Sequence, residues 1–405
     1  MKRCVAMATA LLVALTAWLA GHYQAMQTQQ LKPWDQQVYL WQRVWTPEHA
    51  TALAASHDLF STLRVLGLQV HPHDGFRVIP VNRGLLQQDS RPLWLVVRLD
   101  GQLQHLNASV IHQQLMRLLL RWQTAGLTVI GIEIDHDAAT AQLPEYQQFL
   151  RQLRQQLPAS LQLGITVLPT WLTSPVLPRV LQQVDSSVLQ VHAVLSPKQG
   201  LFDGPLALRW ISQFARISPH PFRVALPAYG MGLVGFDTQG ALVESETPLR
   251  VAGYAQELTV APQQIASFLQ QLALLNPRHF RGIVWFRLPL DSDRRAWSIA
   301  TLRAVINRQP LATQWQVEFL PQQNGLYDLN IQNSGPIDAP LPKEIRIKAN
   351  GCLAADAVGN YQLATTSEQP RFIRIRSDQL RSGQSRPLGW LHCQEITPGD
   401  TDVIP

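Results

Sequence analysis

The sequence is poor in cysteine and in charge. Its 405 residues include three cysteines, too few for a disulfide-dense scaffold or a multi-cysteine zinc site. Charged residues make up 15% and hydrophobic residues 46%, a balance that argues against disorder. The formal net charge is only +6, and no lysine or arginine run has the length expected of a nucleic-acid patch. We therefore expect a folded protein with no nucleic-acid partner.

Common catalytic and metal-binding signatures are missing as well. There is no Gly-rich phosphate loop, no Gly-x-Ser-x-Gly elbow and no pair of zinc ligands at helical spacing. His71, His73 and Asp74 could suggest a metal site, but Pro72 and the loop setting favour ordinary surface residues. We expect no metal and no cofactor.

The N-terminus has the pattern of an export segment. Lys2 and Arg3 precede the apolar run Val5–Ala20, which is short for a membrane span. Ala25 suits the position before a cleavage site, so residues 1–25 are read as a signal peptide, with an uncleaved N-terminal anchor in the inner membrane as the alternative. Either interpretation places the rest of the chain in the periplasm or outside the cell.

Residues 36–309 alternate short apolar runs with helical periodicity. Eight runs are candidate strands: Gln37–Trp45, Thr62–Val70, Leu93–Leu99, Leu127–Asp137, Leu161–Leu168, Ser187–Val194, Phe222–Ala228 and Gly282–Leu288. Three intervening segments carry apolar residues at i, i+3, i+4 and i+7, beginning at Ile111, Tyr146 and Ile265. Eight strands alternating with helices over this length predict a TIM barrel, with a doubly wound sheet as the alternative.

Residues 311–405 read as a small all-β module. Its candidate strands are Trp315–Phe319, Leu326–Ile331, Glu344–Lys348, Tyr361–Ala364, Arg371–Ile375 and Leu388–Leu391. Cys352 and Cys393 are its only cysteines, and an oxidising compartment favours a bridge between them over two free thiols. Closing a loop of this length stabilises by about 4 kcal/mol in the chain-entropy model.

The densest acidic cluster lies at the end of one candidate barrel strand. In Gly131–Asp137, side-chain alternation places Glu133, Asp135 and Asp137 on one face. Functional residues of TIM barrels project from the carboxyl ends of the strands. Three carboxylates on one inward face should raise the pKa of at least one, as a general acid requires. The alternative is a strand end whose carboxylates cap loops or pair with arginine.

This run resembles the Gly-x-Asp-x-Asp-x-Glu signature of chitinase-type glycoside hydrolases of family eighteen. The resemblance places Asp137 at the catalytic acid and Glu133 and Asp135 at the first two acidic positions. Leu226–Gly230 is similar to the family's Leu-Pro-x-Tyr-Gly stretch, and Gly282–Phe286 to its Gly-x-x-x-Trp stretch with the tryptophan shifted by one.

Two departures from that family bear on the chemistry. Asp137 stands where the family has glutamate, which shortens the reach of the acid by a methylene, about 1.5 Å. The sixth strand candidate ends Gln190-Val191-His192 without the Tyr-Asp pair that orients an N-acetyl group. Substrate-assisted hydrolysis of a chitin-like sugar is therefore doubtful, whereas a mechanism with two carboxylates on another sugar stays open.

A larger part of the chain resembles the bacterial domain-of-unknown-function family 3142. The similar stretches are Ile134–Asp137 with Tyr146 and Leu150, Leu163–Trp171, Trp285–Pro289 and Asp328–Gly335. The resemblance implies a glycosidase-like barrel and no established activity.

Five further residues are candidate ligand contacts. Tyr229, Trp285 and Trp171 lie near strand ends and suit stacking on sugar rings, although each is equally suited to the core. Arg287 shares the face of Trp285 and could pair with the acidic cluster. His192 could be a second acid or base, although a lone histidine is more often a packing residue.

The leading hypothesis is an exported glycoside-hydrolase-like barrel that acts on an envelope or extracellular polysaccharide by carboxylate acid/base chemistry. In this hypothesis Asp137 is the acid, Asp135 orients the reacting group and Glu133 tunes both. The alternative is a non-catalytic glycan-binding or envelope-assembly protein on a degenerate barrel, with the β module as its interaction surface. The glycan, the stereochemistry and the oligomeric state stay open.

Overall fold

The computed structural model describes residues 34–192, 200–237, 240–244, 256–366 and 369–405. The candidate export segment, residues 1–25, lies outside them, as does the end of the predicted strand Ser187–Val194. Among the residues described, no helix is both long and apolar enough to cross a membrane.

Twelve strands are described in the first part of the chain. In chain order they are β1 (Asp35–Leu40), β2 (Thr62–His71), β3 (Gly75–Val78), β4 (Leu93–Leu99), β5 (Val129–His136), β6 (Gln162–Val167), β7 (Ser186–Gln190), β8 (Phe222–Pro227), β9 (Met231–Asp237), β10 (Gly240–Glu244), β11 (Gln256–Leu258) and β12 (Phe280–Phe286). Strand β3 pairs antiparallel with β2, and β9 to β11 form a separate antiparallel sheet.

The other eight strands form a closed barrel. Their order is β1-β12-β8-β7-β6-β5-β4-β2, and β1 also pairs with β2, with Gln37 opposite Thr62. The pairs whose register is resolved within this ring are all parallel. Closure of the ring confirms the predicted TIM barrel and excludes the doubly wound sheet, in which two edges would stay open.

Helices separate the barrel strands. The α-helices described are α1 (Glu48–Ala55), α2 (Arg83–Asp89), α3 (Ala108–Thr124), α4 (Leu143–Gln156), α5 (Leu177–Leu181), α6 (Gly204–Ile217), α7 (Pro262–Leu275) and α8 (Ile299–Ile306), with short 3₁₀ turns at Thr140–Gln142 and Pro169–Trp171. The three periodic segments that begin at Ile111, Tyr146 and Ile265 lie in α3, α4 and α7, and their apolar residues are buried. Shorter helices such as α5, with five residues, give too little periodicity to be read from sequence.

The barrel strands occupy nearly the predicted positions. β4 has the predicted bounds, whereas β1 ends five residues before the predicted Trp45. The side chain of Gln42 explains the early end of β1. Its Oε1 accepts from the main-chain nitrogen of Trp41 at 3.1 Å, and its Nε2 donates to the carbonyl of Leu288 at 2.8 Å. Here these side-chain bonds replace the main-chain hydrogen bonds that would continue the strand.

The indole of Trp94 fills part of the barrel interior. A Cβ atom on Gly131 would lie 2.6–2.8 Å from three ring atoms of Trp94, and one on Gly164 would lie 2.9 Å from the ring. The guanidinium of Arg64 stacks on the same ring, 4.6 Å from its centroid. Glycine in β5 and β6 therefore makes room for the indole.

Residues 315–404 form the β module. Its strands are β13 (Trp315–Pro321), β14 (Leu326–Asn333), β15 (Ala339–Pro340), β16 (Glu344–Ala357), β17 (Tyr361–Thr366), β18 (Gln369–Arg374), β19 (Gln379–Leu380) and β20 (Ser385–Ile404), with a 3₁₀ turn at Gln323–Gly325. Six strands make one antiparallel sheet in the order β13-β14-β20-β16-β18-β17. The predicted bridge is confirmed: Cys352 and Cys393 face each other across β16 and β20 and are bonded.

Polar contacts join the module to the barrel, and residues 36–405 form one compact unit. Arg381 of the module pairs with Asp291 and donates to the carbonyl oxygens of Leu290 and Asp293. These contacts fall on the segment between β12 and α8.

Candidate functional site

A cavity of about 280 Å³ opens at the carboxyl ends of the barrel strands. Every one of the eight barrel strands contributes to it, either from its last residues or from the segment that follows. The lining residues are Tyr39, Trp41, Arg43, Gln69, Arg98, Asp135, Asp137, Thr166, Gln190, His192, Ala225, Tyr229 and Phe286. This is the end of a TIM barrel at which functional residues gather.

Glu133 lies beneath the cavity, fully buried inside the barrel. Its carboxylate pairs with Arg64 and accepts hydrogen bonds from the hydroxyl of Tyr39 at 2.5 Å and from that of Thr166 at 3.1 Å. These partners come from β1, β2 and β6, so the side chain points inward as predicted. With its charge balanced by Arg64, Glu133 links its own strand, β5, to three others.

Asp135 and Asp137 lie on the cavity wall and share one arginine. Arg98 of β4 donates from Nη1 to Oδ2 of Asp135 at 2.7 Å and from Nη2 to Oδ2 of Asp137. The Asp135 side chain is 8% exposed and that of Asp137 is 39% exposed. The outer carboxylate therefore meets solvent, whereas the inner one is shielded from it.

Burial raises the pKa of Asp135 above its ordinary value, and the negative charge of Asp137 adds to this effect. The charge of Arg98 acts in the opposite direction without cancelling it. The pKa of Arg98 is raised by the two carboxylates. The site thus contains one carboxyl group that accepts a proton more readily than an ordinary aspartate.

Aromatic rings form another wall of the cavity. The ring of Phe286 lies 5.3 Å from Trp41, 5.8 Å from Tyr39 and 5.2 Å from Tyr229, between ring centroids. Tyr229 is buried, and burial raises its pKa. Trp41 is half-buried, so part of its indole is open to a ligand. An apolar wall opposite a few polar groups is typical of small-molecule sites.

His192 lines the cavity as a neutral imidazole. Its Nδ1 donates to the carbonyl oxygen of Ala225 at 3.1 Å, and burial lowers its pKa to about 4. Its ring packs against Phe286 and Tyr229. Above about pH 5 the residue therefore carries no charge and cannot donate a proton from Nε2.

Three predicted ligand contacts do not line the cavity. Trp171 and Trp285 are fully buried, and their indole nitrogens donate to the carbonyl of Ala138 and to the side chain of Gln36, both at 2.8 Å. Arg287 is 2% exposed and pairs with Asp293 at 2.6 Å. Stacking on a sugar needs an accessible ring face, and the two buried tryptophans do not present one.

Several cavity residues escaped the sequence analysis. They are Tyr39, Trp41, Arg43, Gln69, Arg98, Thr166, Gln190 and Phe286. Arg43, Gln69, Arg98, Thr166 and Phe286 lie near the ends of predicted strands, and Arg98 is a single charge in the apolar run Leu93–Leu99. The other three lie within their predicted strands, because β1 and β7 end earlier than predicted. Inspection of every predicted strand end for polar and aromatic residues would have selected the first five.

The residues described contain no cluster of three His, Cys, Asp or Glu side chains placed to hold a metal ion. In the region singled out from the sequence, His71 contacts Asp100 at 3.6 Å, whereas His73 and Asp74 are exposed.

Solved structures similar to this chain include the spore cortex-lytic enzymes SleL of Bacillus cereus and Bacillus megaterium. The B. cereus structure aligns with a TM-score of 0.50 and 14% identity over 69% of this chain and 75% of its own. The B. megaterium structure gives 0.51 and 11% over 65% and 72%. At these identities the likeness shows a common fold. A chitinase of Chromobacterium violaceum aligns at 13% identity over 68% of this chain and 98% of its own, with a TM-score of 0.47.

Family models cover both parts of the chain. Residues 316–394 match a domain of unknown function, DUF8456, within the β module. Residues 89–291 match another, DUF3142, across most of the barrel. No curated protein matches the sequence. Because the barrel match spans half of the chain, this protein belongs to the DUF3142 family.

Proposed function

We propose that this protein is an exported glycoside-hydrolase-like enzyme that acts on an envelope or extracellular polysaccharide through carboxylate acid/base chemistry. One observation carries the proposal. All eight barrel strands deliver side chains to a single cavity, where two aspartates face an aromatic wall. Aspartate pairs and aromatic rings are the groups with which glycosidases act on and hold a sugar.

The two aspartates have different environments, as acid/base catalysis requires. In the proposed mechanism Asp137, at the family's acid position, protonates the leaving oxygen of the glycosidic bond. Asp135 orients the reacting group, and Glu133 with Arg64 fixes the base of the site. Trp41, Tyr229 and Phe286 hold the sugar ring. The barrel shared with the SleL spore cortex-lytic enzymes is compatible with an envelope polymer as substrate.

Export rests on the N-terminal pattern of Lys2 and Arg3 followed by an apolar run. Cell fractionation of a producing bacterium tests it, with the mass of the mature chain distinguishing a cleaved signal from an anchor. Recovery of the full-length chain in the cytoplasm alone would contradict export.

Hydrolysis of a broad panel of glycans by the purified protein tests the activity. Asp137→Asn and Asp135→Asn should each reduce hydrolysis at least about 100-fold, the usual contribution of a general acid or base. Asp58→Asn is the matched control, because this exposed aspartate pairs with Arg303 away from the cavity. Equal activity of the wild type and Asp137→Asn would overturn the assignment of Asp137.

A second function, glycan binding without catalysis, is favoured by the contact between Arg98 and Asp137. The guanidinium of Arg98 occupies the Oδ2 atom of Asp137, and aspartate reaches less far toward a leaving oxygen than glutamate does. If the wild type and Asp137→Asn both hydrolyse nothing on the panel but bind the same glycan in calorimetry, the binding function replaces the enzyme.

A further inference from the structure

Arg98 occupies a position from which one guanidinium reaches both aspartates. In the parallel pairing of β4 and β5, Arg98 lies directly opposite Asp135, and Asp137 follows two residues later on the same face. The two terminal nitrogens then bind one carboxylate each. The planar fork of arginine suits this division, whereas the single ammonium of lysine cannot reproduce its geometry.

The Arg98 cluster, defined as Arg98, Asp135 and Asp137, differs from the structural ion pair below it. Arg64 and Glu133 are 1% and 0% exposed and contribute one charge each. In the Arg98 cluster one positive charge faces two negative ones, and Arg98 is 26% exposed. The cluster is therefore short of one positive charge and is open to solvent, so it can take up a proton or a ligand.

The histidines and tyrosines around the cluster add no charge near neutral pH, so the two aspartates decide its charge balance. Burial lowers the pKa of His136 and His192 and raises that of Tyr39, Tyr146 and Tyr229, so these five groups are uncharged there. The charged groups near the cluster are Arg43, which follows β1 and lines the same cavity, and the Arg64–Glu133 pair of β2 and β5 beneath it. Arg223, near the start of β8, acts on Tyr39.

We propose that Arg98 is a positioning residue that holds Asp135 and Asp137 in one arrangement and determines which of them carries the proton. In the free protein Arg98 binds both carboxylates at once, one through each terminal nitrogen. When a ligand enters, its polar groups replace the Arg98–Asp137 bond, and Asp137 takes up a proton from solvent. It donates this proton to the leaving oxygen as the glycosidic bond breaks. This catalytic step rests on the proposed function, whereas the control of proton occupancy by Arg98 does not.

Carboxyl-¹³C NMR titration of aspartate-labelled full-length protein tests the proposal without a ligand. The signals of Asp135 and Asp137 are assigned from Asp135→Asn and Asp137→Asn. Removing the positive charge in Arg98→Gln should raise the apparent pKa values of the pair by about 1–3 units. In Arg98→Lys the charge stays but only one carboxylate is bound, so one of the two pKa values should rise.

Arg386→Gln is the matched control, because it removes an arginine–aspartate pair within the β module. It should leave both signals unchanged. Asp137→Asn supplies a second measurement if Arg98→Gln does not fold: loss of the neighbouring negative charge should lower the pKa of Asp135. An unchanged titration of the pair in folded Arg98→Gln, or of Asp135 in Asp137→Asn, would overturn the proposal.

The titration also separates this proposal from the proposed enzymatic function. If no glycan is hydrolysed and the shifts occur, the hydrolase fails and Arg98 retains its role in proton occupancy. If hydrolysis occurs without the shifts, the role of Arg98 fails. If both hold, the pH–rate profile of Arg98→Gln should move to higher pH on both limbs, which a purely structural contribution would not produce.

Discussion

The carboxylate of Asp338 accepts two hydrogen bonds from Ser298, one from the main-chain nitrogen and one from the hydroxyl, both at 2.6 Å. Ser298 is the N-cap residue of α8, the last barrel helix, and Asp338 belongs to the β module. The main-chain nitrogen of Asp338 in turn donates to the hydroxyl of Thr301 at 2.7 Å. The module thus completes the N-terminus of a barrel helix, where a negative charge is favourable.

Asp338→Ala should destabilise the protein by about 3 kcal/mol, because it removes charge-assisted bonds and leaves buried donors without an acceptor. Urea unfolding of the full-length chain measures this change. Glu395→Ala, which removes an exposed carboxylate of the same module, should change stability by less than about 0.5 kcal/mol. Similar values for the two variants would show that the Asp338 contacts add little to stability.

His192 should make stability dependent on pH between about 4 and 6.5. Its folded-state pKa of about 4 is below that of an exposed histidine, so the unfolded chain binds more protons in this window. The free energy of unfolding should therefore fall as the pH falls from 6.5 to 4, by roughly 3 kcal/mol from this residue. Urea unfolding curves at several pH values measure the dependence.

His192→Gln should flatten this pH dependence, whereas His73→Gln, at an exposed position of the β2–β3 turn, should leave it as in the wild type. His49 and His136, whose pKa values burial also lowers, contribute the dependence that is left in His192→Gln. Parallel curves for the wild type and His192→Gln would contradict the buried neutral state of the imidazole.

Gly131→Ala should cost about 1–3 kcal/mol, because the added methyl would overlap the Trp94 ring. The smaller ring of Trp94→Phe should relieve part of this overlap. In a double-mutant cycle of unfolding free energies, the double variant should be more stable than the sum of the single changes by about 0.5–3 kcal/mol. Strict additivity would mean that the interior relaxes without contact between the two positions.

Replacing Trp171 by alanine should mainly lower stability, whereas replacing Trp41 should mainly weaken glycan binding. Trp171 is fully buried and its indole donates to Ala138, so Trp171→Ala should destabilise by about 3–5 kcal/mol. Trp41→Ala removes a half-buried ring at the cavity and should weaken glycan binding with a smaller loss of stability. Calorimetric melting and binding of a glycan from the panel measure both effects. If Trp41→Ala binds the glycan as tightly as the wild type, Trp41 is not part of the site.

Periodicity was sufficient for most of the barrel because a buried strand and a one-faced helix leave local patterns. The run Leu93–Leu99 and the helix that contains Ile111 and Trp122 were predictable for that reason. β3 was not, because its four residues, Gly75–Val78, are too few to give a recognisable pattern. The bridge between Cys352 and Cys393 was predicted from the cysteine count and the expected compartment, without knowledge of the sheet register.

The candidate site was only partly predictable. Alternation in β5 placed Glu133, Asp135 and Asp137 on the inward face, because side-chain direction in a strand is a local property. Which of them reaches the cavity depends on depth along the barrel and on partners from β1, β2, β4 and β6. The stacking roles predicted for Trp171 and Trp285 required exposure, a quantity that short motifs do not contain.

The scarcity of cysteine and charge could thus be read directly from the sequence. The sequence was also sufficient to predict the barrel with its β module and the acidic face of one strand. These are properties of composition and of local periodicity. Only the tertiary structure decided that Glu133 is a buried structural partner of Arg64, that Arg98 joins Asp135 to Asp137, and that the β module caps the last barrel helix. Each of these contacts links residues far apart in the chain, and they meet because strands pair side by side in the barrel and the β module packs against it.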